Sequence, residues 1–147
     1  MTTRSAADPP DTATRVWAAL HEFVIEHDRR RALRAALDLG PGKVEVLIKL
    51  LDGPMTLRQI ARAVEVDPPA ATVGVDQLET RGLVHRTPHP DDKRRKLVHL
   101  TDAGRDAAER GQAILAEPPP ALTNLDPDDL ARLEEILNRL QTSTRRL

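Results

Sequence analysis

Four consecutive cationic side chains, Lys93 to Lys96, are the residues of this sequence best suited to binding phosphate groups. They follow Pro90, Asp91 and Asp92 and precede the alternating run Leu97 to Leu100, in the stretch HPDDKRRKLVHLT. Alternation of this kind is typical of a strand, so the cations are predicted to lie on the turn that leads into it. Such a concentration of positive charge favours a turn that binds a polyanion. The alternative is a solvent-exposed turn with no binding role, which would also tolerate the charge.

Asp92 and Arg94 are candidates for an ion pair within this tip. They lie two residues apart, and on extended backbone such residues point to the same side. Lys93 and Lys96 would then be available for phosphate oxygens. Whether the tip binds anything depends on the elements that carry it.

The overall composition excludes several classes of function. With 22 basic and 23 acidic residues the net charge is −1, so any affinity for nucleic acid must come from a local patch. The chain has no cysteine, which excludes disulfides, thiol redox sensing and cysteine-ligated zinc. The N-terminal residues lack the apolar segment of a signal peptide, and no run is long enough to span a membrane. We therefore expect a soluble, cytoplasmic protein.

The length of 147 residues predicts one compact domain with an aliphatic core, because aromatic residues make up only 1%. Residues 1–12 are predicted to be a disordered tail. Apolar residues at helical spacing predict a single long helix from Thr14 to Leu37 within the segment 13–40. A second helix ends before Gly53.

A helix-turn-helix is predicted next. Thr56 with Gln59 forms the pattern of a capping box, and Asp67 followed by Pro68 forms an N-cap with proline at the first helical position. Gly82 provides a left-handed stop. The second of these short helices is predicted to bury three residues, namely Ala71, Val75 and Leu78. Two short helices separated by a tight turn are the sequence form of a DNA-binding helix-turn-helix.

The runs 83–87 and 96–100 are predicted to pair as a hairpin with the cationic stretch at its tip. Thr101 caps a further helix, which weakens at Gly111 and ends at the prolines 118–120. A last helix begins at Pro127 and carries a leucine stripe of the coiled-coil kind. The stripe consists of Leu130, Leu133, Leu137 and Leu140.

The chain resembles the MarR family of winged helix-turn-helix proteins from its first helix to its last. The most specific residues are Pro90, Asp91, Asp92, Lys93, Arg94, Leu100, Thr101 and Gly104. The resemblance implies a mainly α fold with a small β-hairpin wing. It also implies a winged helix-turn-helix lobe at 41–101, and a helical dimerisation platform built from the first helix and the C-terminal helices at 102–147.

The resemblance implies that Arg94 or Arg95 enters a DNA minor groove and that Asp92 orients it. Lys93 and Lys96 complete the candidate wing contacts. The family usually carries an aspartate where His89 stands, and this departure predicts a looser hydrogen-bond network around the tip.

The predicted recognition helix lacks the charge expected of a DNA-binding element. From Glu65 to Glu79 there is no lysine or arginine, but there are four acids. Family members often place arginine where Val73 stands. The face predicted to meet DNA consists of Pro69, Ala70, Thr72, Val73, Asp76 and Gln77. Glutamine can hydrogen-bond adenine, threonine can hydrogen-bond a phosphate or a base edge, and Ala70 or Val73 can contact thymine methyl groups. The alternative is that this face is ordinary solvent-exposed helix surface. Arg81 and Arg86 flank the helix and are further phosphate candidates.

Two more candidate sites lie on the predicted platform. The candidate dimerisation residues are Val16, Leu20, Leu130, Leu133, Leu137 and Leu140, with closure of an intramolecular core as the alternative. Many family members release DNA when a small molecule enters a cleft beside the DNA-binding lobe. The candidate effector residues are Arg15, Trp17, His21 and Phe23, with ordinary packing as the alternative. Gly111 and the prolines 118–120 depart from the long, uninterrupted helix that is usual here in the family. The distance between the two DNA-binding lobes of a dimer therefore does not follow from the resemblance.

The preferred function is a dimeric, sequence-specific DNA-binding transcriptional regulator, most often a repressor in this family. The alternative is a winged-helix dimer that senses a ligand or binds a protein, motivated by the acidic helix. We expect no enzyme activity and no cofactor, because no nucleophile elbow or phosphate loop is present. We expect no metal site either, since no carboxylate or cysteine completes a ligand set with His85, His89 and His99.

Overall fold

The computed structural model describes residues 11–144, so residues 1–10 of the tail predicted for 1–12 lie outside it, whereas Asp11 and Thr12 already belong to the start of the first helix. The chain divides into two compact units, one up to Leu115 and one from Ala116 onward. The helices are α1 (Thr12–Glu26), α2 (Arg30–Leu37), α3 (Pro41–Lys49), α4 (Leu57–Ala63), α5 (Pro68–Thr80), α6 (Asp102–Ala116), α7 (Pro120–Thr123) and α8 (Pro127–Thr144). The strands are β1 (Met55–Thr56), β2 (Val84–Pro88) and β3 (Lys96–Leu100).

The long first helix predicted for residues 14–37 is wrong, because the chain breaks between Glu26 and Arg30. The ring Nδ1 of His27 lies 2.8 Å from the Phe23 carbonyl oxygen, and the Asp28 carboxylate accepts a hydrogen bond from the backbone N–H of Arg30. Side-chain bonds to nearby backbone groups compete with helical ones and favour a break. Of the predicted first helix, only α1 therefore remains a candidate part of the platform, since α2 buries Leu33 and Leu37 in the core.

The core of the first unit is aliphatic, as the composition predicted. Its largest fully buried side chains come from α2, α3, α4, α5 and the sheet, and they are Leu33, Val44, Leu47, Ile60, Val75, Leu78, Val84 and Val98. By contrast, none of the residues of α1 is buried. At the start of α1, hydrogen bonds from Thr14 hold the pKa of the Asp11 carboxyl below its usual value.

The two helices of the helix-turn-helix begin as predicted. Thr56 Oγ1 accepts from the Gln59 backbone N–H at 3.2 Å, and Gln59 Oε1 accepts from the Thr56 N–H at 2.8 Å, which completes the capping box. Asp67 Oδ1 accepts from the backbone N–H of Ala70 at 2.7 Å and caps α5. Gly82, with φ +70°, ends α5 in the left-handed conformation.

The hairpin forms with β2 antiparallel to β3, in a register that pairs Val84 with Leu100 and Pro88 with Lys96. A third strand, not predicted from the sequence, pairs Met55 with Val98 and extends the sheet to the order β1-β3-β2. This strand directly precedes α4, so it ties the start of the helix-turn-helix to the hairpin.

Helix α6 begins after Thr101, whose Oγ1 accepts from the backbone N–H of Gly104 at 3.0 Å. The predicted weak point at Gly111 is wrong, because α6 continues through it and Gly111 is buried. A Cβ placed there would lie 2.5 Å from Val44 Cγ1 and 3.4 Å from Leu37 Cδ1. The glycine therefore permits close packing of α6 against α2 and α3.

The second unit consists of α7 and α8. The prediction that α6 ends before the prolines is confirmed, because α6 ends at Ala116. The four-residue α7, which begins at Pro120, was not predicted. No described residue of α8 is buried within the single chain, including the leucine stripe. Within residues 11–144, no helix has both the length and the apolar composition needed to cross a lipid bilayer.

Candidate nucleic-acid interface

The tip of the hairpin is a hydrogen-bonded turn rather than extended backbone. The N–H of Arg95 donates to the Asp92 carbonyl at 2.9 Å, and the N–H of His89 donates to the Arg95 carbonyl at 2.9 Å. These bonds close the loop from residue 89 to residue 95. We call β2, β3 and this loop the wing. All four cations from Lys93 to Lys96 are exposed on it.

Asp92 organises the tip, but not in the way the sequence predicted. Its Oδ1 accepts from the backbone N–H of Arg94 at 3.0 Å, and no ion pair between the two side chains is found in the described residues. The prediction of a side-chain pair is wrong because it assumed an extended tip. The aspartate instead stabilises the turn that presents the Arg94 side chain.

His89 also contributes to the turn. Its Nδ1 accepts from the backbone N–H of Asp91 at 3.1 Å, so the histidine supplies a hydrogen-bond acceptor at a position where an aspartate would supply one. His89 therefore takes part in the hydrogen bonding of the tip, and a looser network than in relatives with aspartate there stays a prediction. His85 and His99 stack elsewhere on the wing, with ring centroids 4.9 Å apart. Among the described residues, no three metal-ligating side chains come together.

A cationic cleft of about 550 Å³ lies between the wing and the start of α4. It is lined by Thr56, Leu57, Arg58, Arg94, Arg95 and Lys96. Three of these cations were predicted from the sequence, but Arg58 was not. The short strand β1 brings Arg58 close to the wing, although 36 residues separate it from Arg94.

The predicted recognition helix, α5, exposes most of the face that was predicted to meet DNA. Pro69, Ala70, Val73, Asp76 and Gln77 are exposed, while Thr72 is half-buried. The Thr72 hydroxyl donates to the Pro68 carbonyl at 3.0 Å. Its single hydrogen is therefore engaged within the helix and does not point to a phosphate.

Three of the four acids from Glu65 to Glu79 have intramolecular partners. Asp67 caps α5, while Asp76 and Glu79 both pair with Arg86 of β2. Arg86 was predicted as a phosphate candidate, and the structure instead places its guanidinium on these two carboxylates. Arg81 donates to the carbonyl oxygens of Leu37 and Asp38 at the end of α2. Both flanking arginines are thus held by the protein.

The candidate effector residues are not brought together by the structure. Trp17 lies beside His21 with ring centroids 6.3 Å apart, while Phe23 lies against His27 at 4.3 Å. Arg15 donates to Thr12 Oγ1 at 3.0 Å. The two rings therefore form separate pairs, although all four residues lie on α1.

Comparisons with known proteins agree with this geometry. The model of the MarR family matches residues 44–96, which span the helix-turn-helix and most of the wing. The multiple antibiotic resistance protein MarR of Salmonella typhimurium is 32% identical over 127 residues, covering 80% of this chain and 86% of that protein.

Solved structures extend the likeness to the whole fold. A cysteine-to-serine mutant of MarR from Escherichia coli matches with a TM-score of 0.71 at 25% identity, covering 91% of this chain and 99% of that one. A mutant of Staphylococcus aureus MepR bound to an oligodeoxyribonucleotide shares the fold, with a TM-score of 0.66 at 20% identity over 92% and 99% of the two chains. The chain therefore belongs to the MarR family of winged helix-turn-helix transcriptional regulators.

Proposed function

We propose that the protein binds duplex DNA as a homodimer, with α5 in a major groove and the wing in the adjacent minor groove. The observation that carries this proposal is the exposed cationic run from Lys93 to Lys96, which spans the hydrogen-bonded loop at the tip of the wing and the first residue of β3. A narrow minor groove has an enhanced negative potential that attracts inserted arginine. Arg94 or Arg95 is the inserting side chain, and Lys93 and Lys96 contact phosphates.

The helix α5 contributes sequence preference rather than strong attraction. Its exposed Gln77 suits adenine, and Ala70 and Val73 suit thymine methyl groups. No cation lies between Glu65 and Glu79, so the bidentate contact of arginine with guanine is not available from this segment. We therefore expect modest specificity that favours A·T pairs, with much of the affinity supplied by the wing.

Homodimer formation is supported by apolar surface that a single chain leaves exposed. Val16 and Leu20 of α1 are exposed, as are Leu130, Leu137 and Leu140 of α8, while Leu133 is half-buried. Exposed apolar stripes of this kind mark interaction surfaces. A two-fold dimer would place two recognition helices roughly 34–36 Å apart, which matches successive major grooves of a pseudo-palindromic operator.

Family membership supports repression as the regulatory sense and a small molecule as the releasing signal. The candidate effector residues remain Arg15, Trp17, His21 and Phe23 of α1, and this proposal rests on family membership, because their contacts do not bring the four side chains together. We also propose a cytoplasmic location, because bacterial regulators of this kind act on DNA there.

The direct test is a fluorescence anisotropy titration of the full chain against labelled duplexes from the region upstream of its own gene. We expect an affinity that falls steeply with salt, because phosphate contacts release counterions. We also expect competition by unlabelled upstream DNA that exceeds competition by random duplex. Salt-insensitive binding, or no binding to any upstream fragment, would remove the proposal.

A protein-interaction role is the second candidate, and two exposed valines favour it. Val66 and Val73 are 42% and 55% exposed beside and on the recognition helix. A partner protein that co-purifies with the chain, and that DNA does not displace, would support the protein-interaction role. The acidic sequence of α5 was the first reason for considering this role. The pairing of Asp76 and Glu79 with Arg86 weakens that reason, because the helix presents less unpaired negative charge than its sequence indicates.

A further inference from the structure

Arg86 joins the wing to the recognition helix through two ion pairs. One terminal nitrogen of its guanidinium contacts Asp76 Oδ1, and the other lies 2.7 Å from Glu79 Oε1. The Arg86 side chain is only 19% exposed, whereas those of Asp76 and Glu79 are 59% and 41% exposed. The cation is therefore sheltered beneath the two carboxylates.

The geometry of this contact restrains the orientation of α5 relative to the wing. Asp76 and Glu79 are three residues apart, so they lie on the same face of α5. The guanidinium is planar and presents its donors in a fixed fork, so a contact made through both ends resists rotation. Arg86 lies in the middle of β2, and the C-terminal end of this strand, at Pro88, leads into the cationic tip.

The contact also occupies the charges that would otherwise act on DNA. Asp76 and Glu79 are two of the four acids between Glu65 and Glu79, where no basic residue occurs. In the same way, a guanidinium held by two carboxylates is not available to a phosphate. Electrostatic attraction to DNA therefore has to come from elsewhere on the surface.

We propose that Arg86 is a positioning residue that braces the recognition helix against the wing, so that both elements dock into DNA as one rigid unit. We call the contact of Arg86 with Asp76 and Glu79 the brace. The proposal rests on the DNA-binding function proposed above. It assigns to Asp76 a role that differs from the base contact considered from the sequence.

The test is a double-mutant cycle on operator affinity, using Arg86→Gln, the pair Asp76→Ala with Glu79→Ala, and all three together. Each side alone should lower the affinity about tenfold, and the combination should be no worse than either side, because the brace is broken only once. Loss of affinity on removing two acids is the diagnostic result, since the change in charge alone favours binding to a polyanion.

A second readout needs no DNA. Amide hydrogen exchange in residues 84–100 should become faster in all three variants, while the midpoint of global thermal unfolding changes little, because only the packing of the wing on α5 is loosened. Arg30→Gln is the matched control. It removes the same charge from the exposed Arg30–Asp28 pair of α2, and it should alter neither affinity nor exchange in the wing.

Three outcomes would overturn the proposal. Tighter binding of the acid variant would show that Arg86, once freed, grips a phosphate. Losses that multiply to about a hundredfold in the combined variant would show independent contacts. Unchanged exchange in the wing of the Arg86→Gln protein would show that no brace exists. If the wild-type protein binds no DNA, the proposed function fails, and the exchange measurement still reports separately on the brace.

Discussion

At the scale of single residues, the wing shows how a charge pattern can predict an exposed tip while misjudging the contacts within it. The sequence correctly placed Lys93 to Lys96 on an exposed tip, because charge and strand alternation are local properties. The role of Asp92 depends on the backbone of the turn, which alternation alone does not determine. Arg58 acquires its neighbours through pairing of the sheet, and Arg86 acquires its neighbours through packing of β2 against α5, so local spacing gave no sign of either role.

Replacement of Asp92 separates its backbone role from a role in ion pairing. Asn retains an oxygen that can accept the Arg94 N–H, whereas Ala does not, so Asp92→Asn should bind operator DNA nearly as well as wild type. Asp92→Ala should lose about fivefold in affinity, because the turn loses one hydrogen bond. Anisotropy titration of both variants decides the matter. An asparagine variant as weak as the alanine variant would restore the ion-pair interpretation.

At the scale of elements, caps and turns were predictable and close contacts were not. The capping box of α4, the Asp67 cap of α5 and the Gly82 stop are set by neighbouring residues, and each forms as expected. The break after α1 depends on competition between the His27 and Asp28 side chains and helical bonds. The two-residue strand β1 is too short to show alternation, and its partner lies more than 40 residues away.

Two helical glycines should respond in opposite directions to alanine. Gly111→Ala should lower the free energy of unfolding by about 1–3 kcal/mol, because the new methyl group meets Val44 in the core. Gly74→Ala in α5 is the matched control. Nothing lies within 4 Å of its added Cβ, so helix propensity should raise stability by up to about 1 kcal/mol. Urea unfolding measures both. A stabilised Gly111→Ala protein would contradict the close packing of α6.

At the scale of the whole molecule, the pattern of apolar residues divides between core and surface. The aliphatic residues of α2 to α5 and the sheet fill one core, whereas α1 and α8 keep their apolar stripes exposed. The sequence showed that these helices were amphipathic, but it could not say whether their stripes close a core within one chain. Their exposure in the single chain favours a second copy as the partner.

The leucine stripe gives a test of the dimer. Leu137→Glu should weaken self-association by about a hundredfold or more, because a charge replaces an apolar side chain in the proposed interface. Ala131→Glu introduces the same acid on a different face of α8 and should leave association unchanged. Sedimentation velocity across a concentration series reports both. A monomeric wild-type protein, or a Leu137→Glu protein that still dimerises fully, would refute the proposed interface.

The central claim is that the cationic tip of the wing supplies much of the affinity for DNA. The most direct measurement compares operator affinity over a range of salt concentrations for wild type and for Arg94→Ala with Arg95→Ala. The control, Arg31→Ala with Arg34→Ala, removes the same charge from α2. We predict that the wing variant loses about a hundredfold in affinity, with a slope of log K against log salt lower by roughly one for each contact removed, while the control changes little. Equal affinities and slopes for the wing variant and wild type would contradict the claim.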